Sequence, residues 1–389
     1  MALSSSSLSA VHSVSYSILI LLAFTNYVSG CYTSLFGFGD SITDTGNLVC
    51  IDAPDNLGHM AFPPYGETFF HHPTGRCSDG RLIIDFFAEY FGLPLVPPYL
   101  EVEKAKGRDF RKGVNFAVVG SPTLDLAFYE ERGIFNPITN VSLKVQLGWF
   151  KEILPSLCHT FSSCNKFFQT SLFFLGPLGG NDYTHSFVSN ASPDEIRSFV
   201  PLVVKAIGSA INELVDLGAV TLVVPAILPL GCAGAYLTKY ASSNKADYDT
   251  MGCLICFNNF TEYHNELLQR ELNDIRELHP HATIIYADIH SAAMQLYRNP
   301  YKYGFMKGAL VACCGSGGQY NVSDSMPCGV RPIVVCDNPS LYVDWDGYHF
   351  TETAYRLVSK GLLDGPFTIP QINSGCVSLA AQVEHSTYI

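Results

Sequence analysis

Four short stretches carry residue types able to do chemistry together. The first is Gly37-Phe38-Gly39-Asp40-Ser41-Ile42-Thr43-Asp44-Thr45-Gly46-Asn47. Gly39 lets the chain turn sharply after an apolar run, and Ser41 falls near a helix start, where outward-facing N–H groups receive negative charge. The second is Val343-Asp344-Trp345-Asp346-Gly347-Tyr348-His349-Phe350-Thr351, with Asp346 three residues before His349. A hydroxyl nucleophile needs a base, and the base needs an orienting carboxylate. A neutral imidazole, with an ordinary pKa of ~6.5, takes a serine proton at neutral pH. The third stretch ends Val118-Val119-Gly120-Ser121 and offers Gly120 as a point of close backbone approach. The fourth, Gly179-Gly180-Asn181-Asp182, presents Asn181, a neutral amide that stabilises an oxyanion without a charge needing a partner in the ground state. Taken singly, each has a simpler reading as a capped or polar turn. Taken together, Ser41 as nucleophile, His349 as base, Asp346 as its orienting acid, and Gly120 and Asn181 beside them complete one acyl-transfer site.

The elements that must position them follow from hydropathy. Five apolar runs read as buried strands: Ser34–Phe38, Val114–Val118, Ser171–Leu175, Val220–Pro225 and Thr283–Ala287. They lack polar alternation, as strands covered on both faces do. Helical spacing fills Gly80–Phe91, Pro193–Leu217, Phe257–Leu278 and Thr351–Leu363, with Ser192 as an N-cap. Strands alternating with helices predict a parallel sheet with helices on both faces. Ligands bind such sheets beyond the carboxyl ends of the strands, which is where Ser41, Gly120 and Asn181 fall.

With these stretches the sequence resembles the plant GDSL esterase/lipases, part of the SGNH hydrolases. Ser41, Gly120, Asn181 and His349 match the four blocks of that family, and Asp346 matches its Asp-x-x-His pattern. The resemblance extends over Pro63-Pro64-Tyr65-Gly66-Glu67-Thr68-Phe69, Gly75-Arg76-Cys77-Ser78-Asp79-Gly80-Arg81 and Leu228-Pro229-Leu230-Gly231-Cys232. The last of these, with Trp345-Asp346-Gly347-Tyr348-His349, is most similar to the acetylajmalan-esterase and sinapine-esterase branch. The resemblance implies an α/β/α sandwich around a parallel, flavodoxin-like five-stranded sheet. It implies an oxyanion hole built from the Ser41 and Gly120 N–H groups and the Asn181 amide. Gly113 is the rival for the block-two glycine; Gly120 is preferred because it lies beyond the strand end. Phe350, where relatives often carry Pro or Leu, and Ser121, where Ala is usual, are departures. Phe350 bears on the shape of the acyl pocket.

The bulk numbers set the class. The chain has 389 residues, 48% hydrophobic and 15% charged, enough apolar material for a large core. No linker or repeat divides it, so one domain is expected over 31–389. The formal net charge of −12, with Lys and Arg scattered singly, argues against nucleic-acid binding. The apolar run Ser17–Phe24 followed by Val28-Ser29-Gly30 reads as a signal peptide over 1–30, which predicts a secreted protein, extracellular or vacuolar. Thirteen cysteines, all at or after Cys31, fit an oxidising compartment, and the odd count leaves at least one thiol free or paired between chains. Cys158 and Cys164 are spaced to close a short loop. Cys313, Cys314, Cys328 and Cys336 form a second cluster, and Cys253-x-x-Cys256 reads as structural rather than metal-binding. Sequons stand at Asn140, Asn190, Asn259 and Asn321. His59, His71-His72, His279 and His281 show no ligand spacing with carboxylates, so no metal and no cofactor are expected. The leading expectation is two-step hydrolysis of carboxylic esters, and the branch resemblance implies small-acyl or aromatic-acyl esters of plant metabolites. Acyl transfer to an alcohol at the same site and a non-catalytic wall or ligand-binding protein are the alternatives.

Overall fold

A computed structural model describes residues 31–51, 57–105, 109–323 and 325–372; the expected signal peptide lies outside them. Four strands run parallel in the order β1 (Ser34–Phe38), β2 (Ser171–Leu175), β3 (Thr221–Pro225) and β4 (Thr283–Ala287). Every residue of β1, β2 and β3 is buried, which explains their unbroken apolar sequences. Phe36 stacks on Phe173 at 5.3 Å between ring centroids, and Phe38 on Phe116 at 5.0 Å. Burying one such ring contributes ~1.5–3 kcal/mol before entropy is counted.

Two departures from expectation concern the sheet edges. Val114–Val118 is not a strand; it follows the free edge of β1 and meets it at the isolated bridge Gly37–Asn115. Asn115 bridges two ways: Val114 O and Phe116 N on either side of it bond Gly37, and its own groups face a second isolated bridge to Pro98. Its N–H donates to Pro97 O, and its carbonyl accepts from Tyr99 N and from Asn47 Nδ2. The fifth strand is β5, Thr368–Ile369, and it pairs antiparallel with β4. The sheet is therefore mostly parallel, and β5 is too short to leave a hydropathy signal.

The helices that matter for the site are α1 (Ile83–Tyr90), α2 (Leu143–Leu157), α3 (Gly180–Val188), α4 (Pro193–Asp216), α5 (Ile255–Leu278), α6 (Ile289–Arg298) and α7 (Glu352–Leu363). Helix α4 packs along α5, while α7 packs on both α1 and α6, giving the three-layer α/β/α arrangement. Ser192 caps α4 by accepting from Glu195 N at 3.2 Å, and Thr351 caps α7 by accepting from Ala354 N at 3.3 Å. Helix α4 is long and apolar enough to cross a membrane, but Ile196, Val200, Val203, Ile207, Ile211 and Leu214 bury its apolar stripe.

Between described residues, four disulfides join Cys158–Cys164, Cys232–Cys253, Cys313–Cys336 and Cys314–Cys328. Cys253 thus pairs away from Cys256, which is an exposed thiol; Cys50 and Cys77 are also free among the described residues.

Candidate active site

Ser41 lies in the turn that leaves β1. That turn is fixed from behind by Gln146 of α2, fully buried, whose amide accepts from Gly39 N at 2.9 Å and donates to Gly39 O at 2.8 Å. Gly39 has φ +143°, and a Cβ there would lie 2.8 Å from Gly176 O, so the turn requires glycine. Asp44, also buried, accepts from Gly46, Asn47, Leu48 and Val119 N–H groups, which ties the nucleophile turn to the Gly120 segment. Asn115 donates from its amide to Thr43 O.

His349 stands opposite. Its Nε2 is 2.8 Å from Ser41 Oγ, and its Nδ1 is 2.8 and 3.0 Å from the two Asp346 oxygens. Asp346 Oδ1 also accepts from the Tyr348 and His349 N–H groups, and Tyr65 donates its hydroxyl to Oδ2 at 2.8 Å. Burial opposes charge on both partners, but their attraction wins. Asp346 is held down to about 2, and His349 is raised above the ordinary imidazole value. Asp344, the other acid of the loop, does not meet His349. Its carboxylate accepts from Gly347 N at 2.7 Å and Gly234 N at 3.2 Å, and burial pushes it up to about 7.

Gly120 and Asn181 face the same space. Gly120 has φ +77°, and a Cβ there would lie 2.7 Å from the side chain of Ile138. Gly113, the alternative, is a glycine for another reason: a Cβ would sit 1.9 Å from Leu35 O, where the chain passes β1. Asn181 opens α3, and its Nδ2 makes only long contacts, 3.3 Å each, to Asp40 Oδ2 and Ser121 O. Bonds of that length are weak and leave the amide available to another acceptor. Asp182, next in sequence and fully buried, accepts from the Thr123 and Leu124 N–H groups and the Tyr129 hydroxyl, which ties α3 to the segment after Gly120. Asp40 is buried and pushed up to about 7 by desolvation, with Ile42 N and the His349 charge opposing the rise.

Ser41, Gly120, Asn181, Asp346 and His349 all line one cavity of about 500 Å³. Met60, Ile138, Val188, Leu228, Leu230 and Met326 supply apolar walls, and among the described residues no Lys or Arg lines it. Phe350 does not line it; that ring is buried beside Tyr355 and Tyr297. His59 lines the cavity, whereas His71 and His72 are exposed.

Several residues at the site carried no functional assignment in the sequence. Gln146 is a polar residue inside the buried stripe Leu143, Leu147, Phe150 and Ile153 of α2, a break in periodicity that marks a buried hydrogen-bonding task. Tyr65 sits in a recognisable block, but nothing local points it at Asp346.

The geometry agrees with what the whole sequence is similar to. Residues 35–362 match the GDSL-like lipase/acylhydrolase family. A GDSL esterase/lipase of Arabidopsis thaliana is 50% identical over 362 residues, 92% of this chain and 89% of the relative. A second from the same plant is 51% identical over 348 residues, 89% of this chain and 88% of the relative. A sinapine esterase of Brassica napus is 47% identical over 359 residues, 92% of each chain. A match this long, with the four blocks gathered around one cavity, leads to one assignment: the chain belongs to the GDSL-like lipase/acylhydrolase family, and its enzyme class is carboxylic ester hydrolase.

Proposed function

We propose that the protein is a secreted serine esterase working through an acyl-enzyme. The observation that carries this is the unbroken relay Ser41 Oγ–His349 Nε2 and His349 Nδ1–Asp346 Oδ2, 2.8 Å at each step. Ser41 Oγ attacks the ester carbon as its proton passes to His349 Nε2; the carbonyl π electrons move to oxygen. The Ser41 and Gly120 N–H groups and Asn181 Nδ2 receive that oxyanion. Collapse expels the alcohol, which takes the proton from His349. Water then repeats the sequence and releases the acid. General base catalysis contributes ~10²–10⁴-fold, and each oxyanion donor ~10²–10³-fold.

The substrate class we propose is a small-acyl or aromatic-acyl ester of a plant metabolite, with a neutral or cationic alcohol. The apolar lining, without Lys or Arg among its described residues, disfavours an anionic substrate. Similarity to the sinapine esterase supports the same class. Removal of residues 1–30 and one hydrolase domain over 31–389 belong to this proposal. Asn140, Asn190 and Asn259 are exposed and suit glycans. Asn321 is half-buried, with its amide donating to Ala312 O and accepting from Gly317 N, so we leave it out.

A serine-reactive phosphonate is the direct test. Labelling of Ser41 with loss of activity, absent in Ser41→Ala, is expected; mapping of the label to Ser121 or Ser316 overturns the reading. For the substrate, kcat/KM should favour acetyl or aromatic-acyl over long-chain esters of one alcohol. A jump in activity when long-chain esters form micelles would overturn the substrate class and leave the serine mechanism standing.

A further inference from the structure

The residue proposed to give the oxyanion hole its backbone N–H, Gly120, is by type the least constrained in the chain. A glycine at φ +77° has no side chain to hold it, and rotation about its own φ and ψ changes the direction of its N–H relative to its carbonyl. Two side chains act on it. His185 Nε2 lies 3.1 Å from Gly120 O, and Asn136 Nδ2 donates to the same oxygen at 2.9 Å. The two are not equivalent. Asn136 is half-exposed, between the exposed residues Phe135 and Pro137. His185 is 8% exposed and lies on α3, four residues after Asn181. Residues four apart share a helix face, so one face of α3 carries both the amide that meets the oxyanion and the ring that meets Gly120.

We propose that His185 is a positioning residue of the oxyanion hole: its imidazole fixes the Gly120 carbonyl and, through it, the direction of the Gly120 N–H relative to Asn181. This rests on the oxyanion-hole assignment made above. A carbonyl only accepts, so Nε2 is the nitrogen that bears hydrogen. Burial pushes the imidazole below its ordinary value, with Gly120 O and the Asp182 charge opposing, so the ring stays neutral at pH 7. No proton moves in the role assigned to it. His185 also lines the cavity, so a plain wall function is the competing account, and the two differ in what they do to kcat and to KM.

The test uses His185→Gln, whose amide nitrogen reaches the position of Nε2, and His185→Asn, whose amide stops short. Steady-state constants on a soluble ester are compared with the affinity for a boronic acid that forms a tetrahedral adduct on Ser41. His185→Asn should lower kcat by about ten-fold, less than the ~10²–10³ of losing a direct donor, and weaken the boronate by a similar factor. Its KM should stay within about two-fold of wild type, and His185→Gln should recover most of kcat. A raised KM with unchanged kcat and boronate affinity overturns the proposal, as does a Gln variant no better than the Asn variant. Asn136→Ala strips the other donor from the same oxygen at the surface and should show the same signature, smaller. If the His185 variants do not fold, an Asn136→Ala enzyme with unchanged kcat and boronate affinity overturns the proposal instead. Asn181→Ala with full activity would sink the oxyanion-hole reading itself, whatever the His185 variants do.

Discussion

The two halves of the proposed catalytic relay are held in different ways. The nucleophile turn, 39–47, is bound by buried side chains within and beside it. Gln146 grips both backbone groups of Gly39, and Asp44 gathers four N–H groups. The base loop, 344–349, leans on segments far away in sequence. Cys313 and Cys314 donate their N–H groups to Asp344 and Trp345 carbonyls, and each is cross-linked, to Cys336 and Cys328. Ser78 Oγ donates to Phe350 O, and Asp79 accepts from Glu352 N. On the first side, losing a partner strands a buried polar group, so position and stability are one property. On the second, covalent links hold a loop at the cavity wall, so position can be lost while the sheet survives.

The largest expected effect tests whether both halves serve one relay. Ser41→Ala and His349→Ala should each lower kcat by about 10⁴–10⁶-fold, and the double variant should be hardly worse than either alone. Additive losses would separate the halves. Asp346→Asn should cost up to about 10⁴-fold, far more than Asp344→Asn, since only Asp346 touches His349. The reverse order would reassign the orienting acid.

Stability distinguishes the halves next. Gln146→Leu should cost roughly 2–4 kcal/mol in chemical denaturation, because it leaves both Gly39 groups unpartnered in the core. Cys314→Ser with Cys328→Ser removes a cross-link worth ~3 kcal/mol for a loop of this size. It should lower kcat/KM at temperatures where the far-ultraviolet circular dichroism is still native. Loss of activity and of secondary structure together in the disulfide variant would erase the contrast.

A smaller effect concerns pH. His349 must be neutral to act, and its folded pKa is raised, so kcat/KM should fall as pH drops through a value above ~6.5. Tyr65→Phe removes a donor from Asp346, leaves its charge less spread, and strengthens its hold on the imidazolium. The acid limb should therefore move to higher pH, with a modest fall in kcat. An unmoved limb would limit Tyr65 to packing. The smallest effect is thermal. Asp40 and Asp344, both raised to about 7, bind protons more tightly folded than unfolded, so their contribution is present in mild acid and lost as pH rises toward 7. His349 acts in the same direction, being lost as pH rises through its own raised value. The slope these three impose on Tm falls from pH 5 to pH 8 and is opposed by the buried His59, His185, His264 and His290, whose values burial lowers, so it is read as the difference between wild type and variant. Asp344→Asn should flatten that slope.

Much of the molecule was legible beforehand. The runs at β1, β2, β3 and β4 were visible because strands buried on both faces cannot alternate with polar residues. Helix α4 was visible because Ser192 capped an apolar period. The edges were not. At Val114–Val118 an apolar sequence met a backbone that bonds Gly37 and Gly39 at the β1 edge, while the groups of Asn115 turn away to Pro97, Tyr99 and Asn47, so only isolated bridges form. Hydropathy reports burial but is blind to hydrogen-bond partners. Pairing of Cys253 with Cys232 rather than Cys256 was equally beyond spacing, since a disulfide depends on distance in space.

By itself the sequence determined which residue types could do the proposed chemistry and which turns carry them: Ser41, Gly120, Asn181, Asp346 and His349 stand in motifs whose local backbone demands were already written in their glycines and caps. Only the tertiary structure decided that a tyrosine 281 residues away would complete the Asp346 carboxylate, that Gln146 would lock Gly39, and that His185 would reach Gly120. Those contacts join segments whose separation along the chain carries no periodic signal. They exist because the sheet, once packed, brings the ends of its strands to one place.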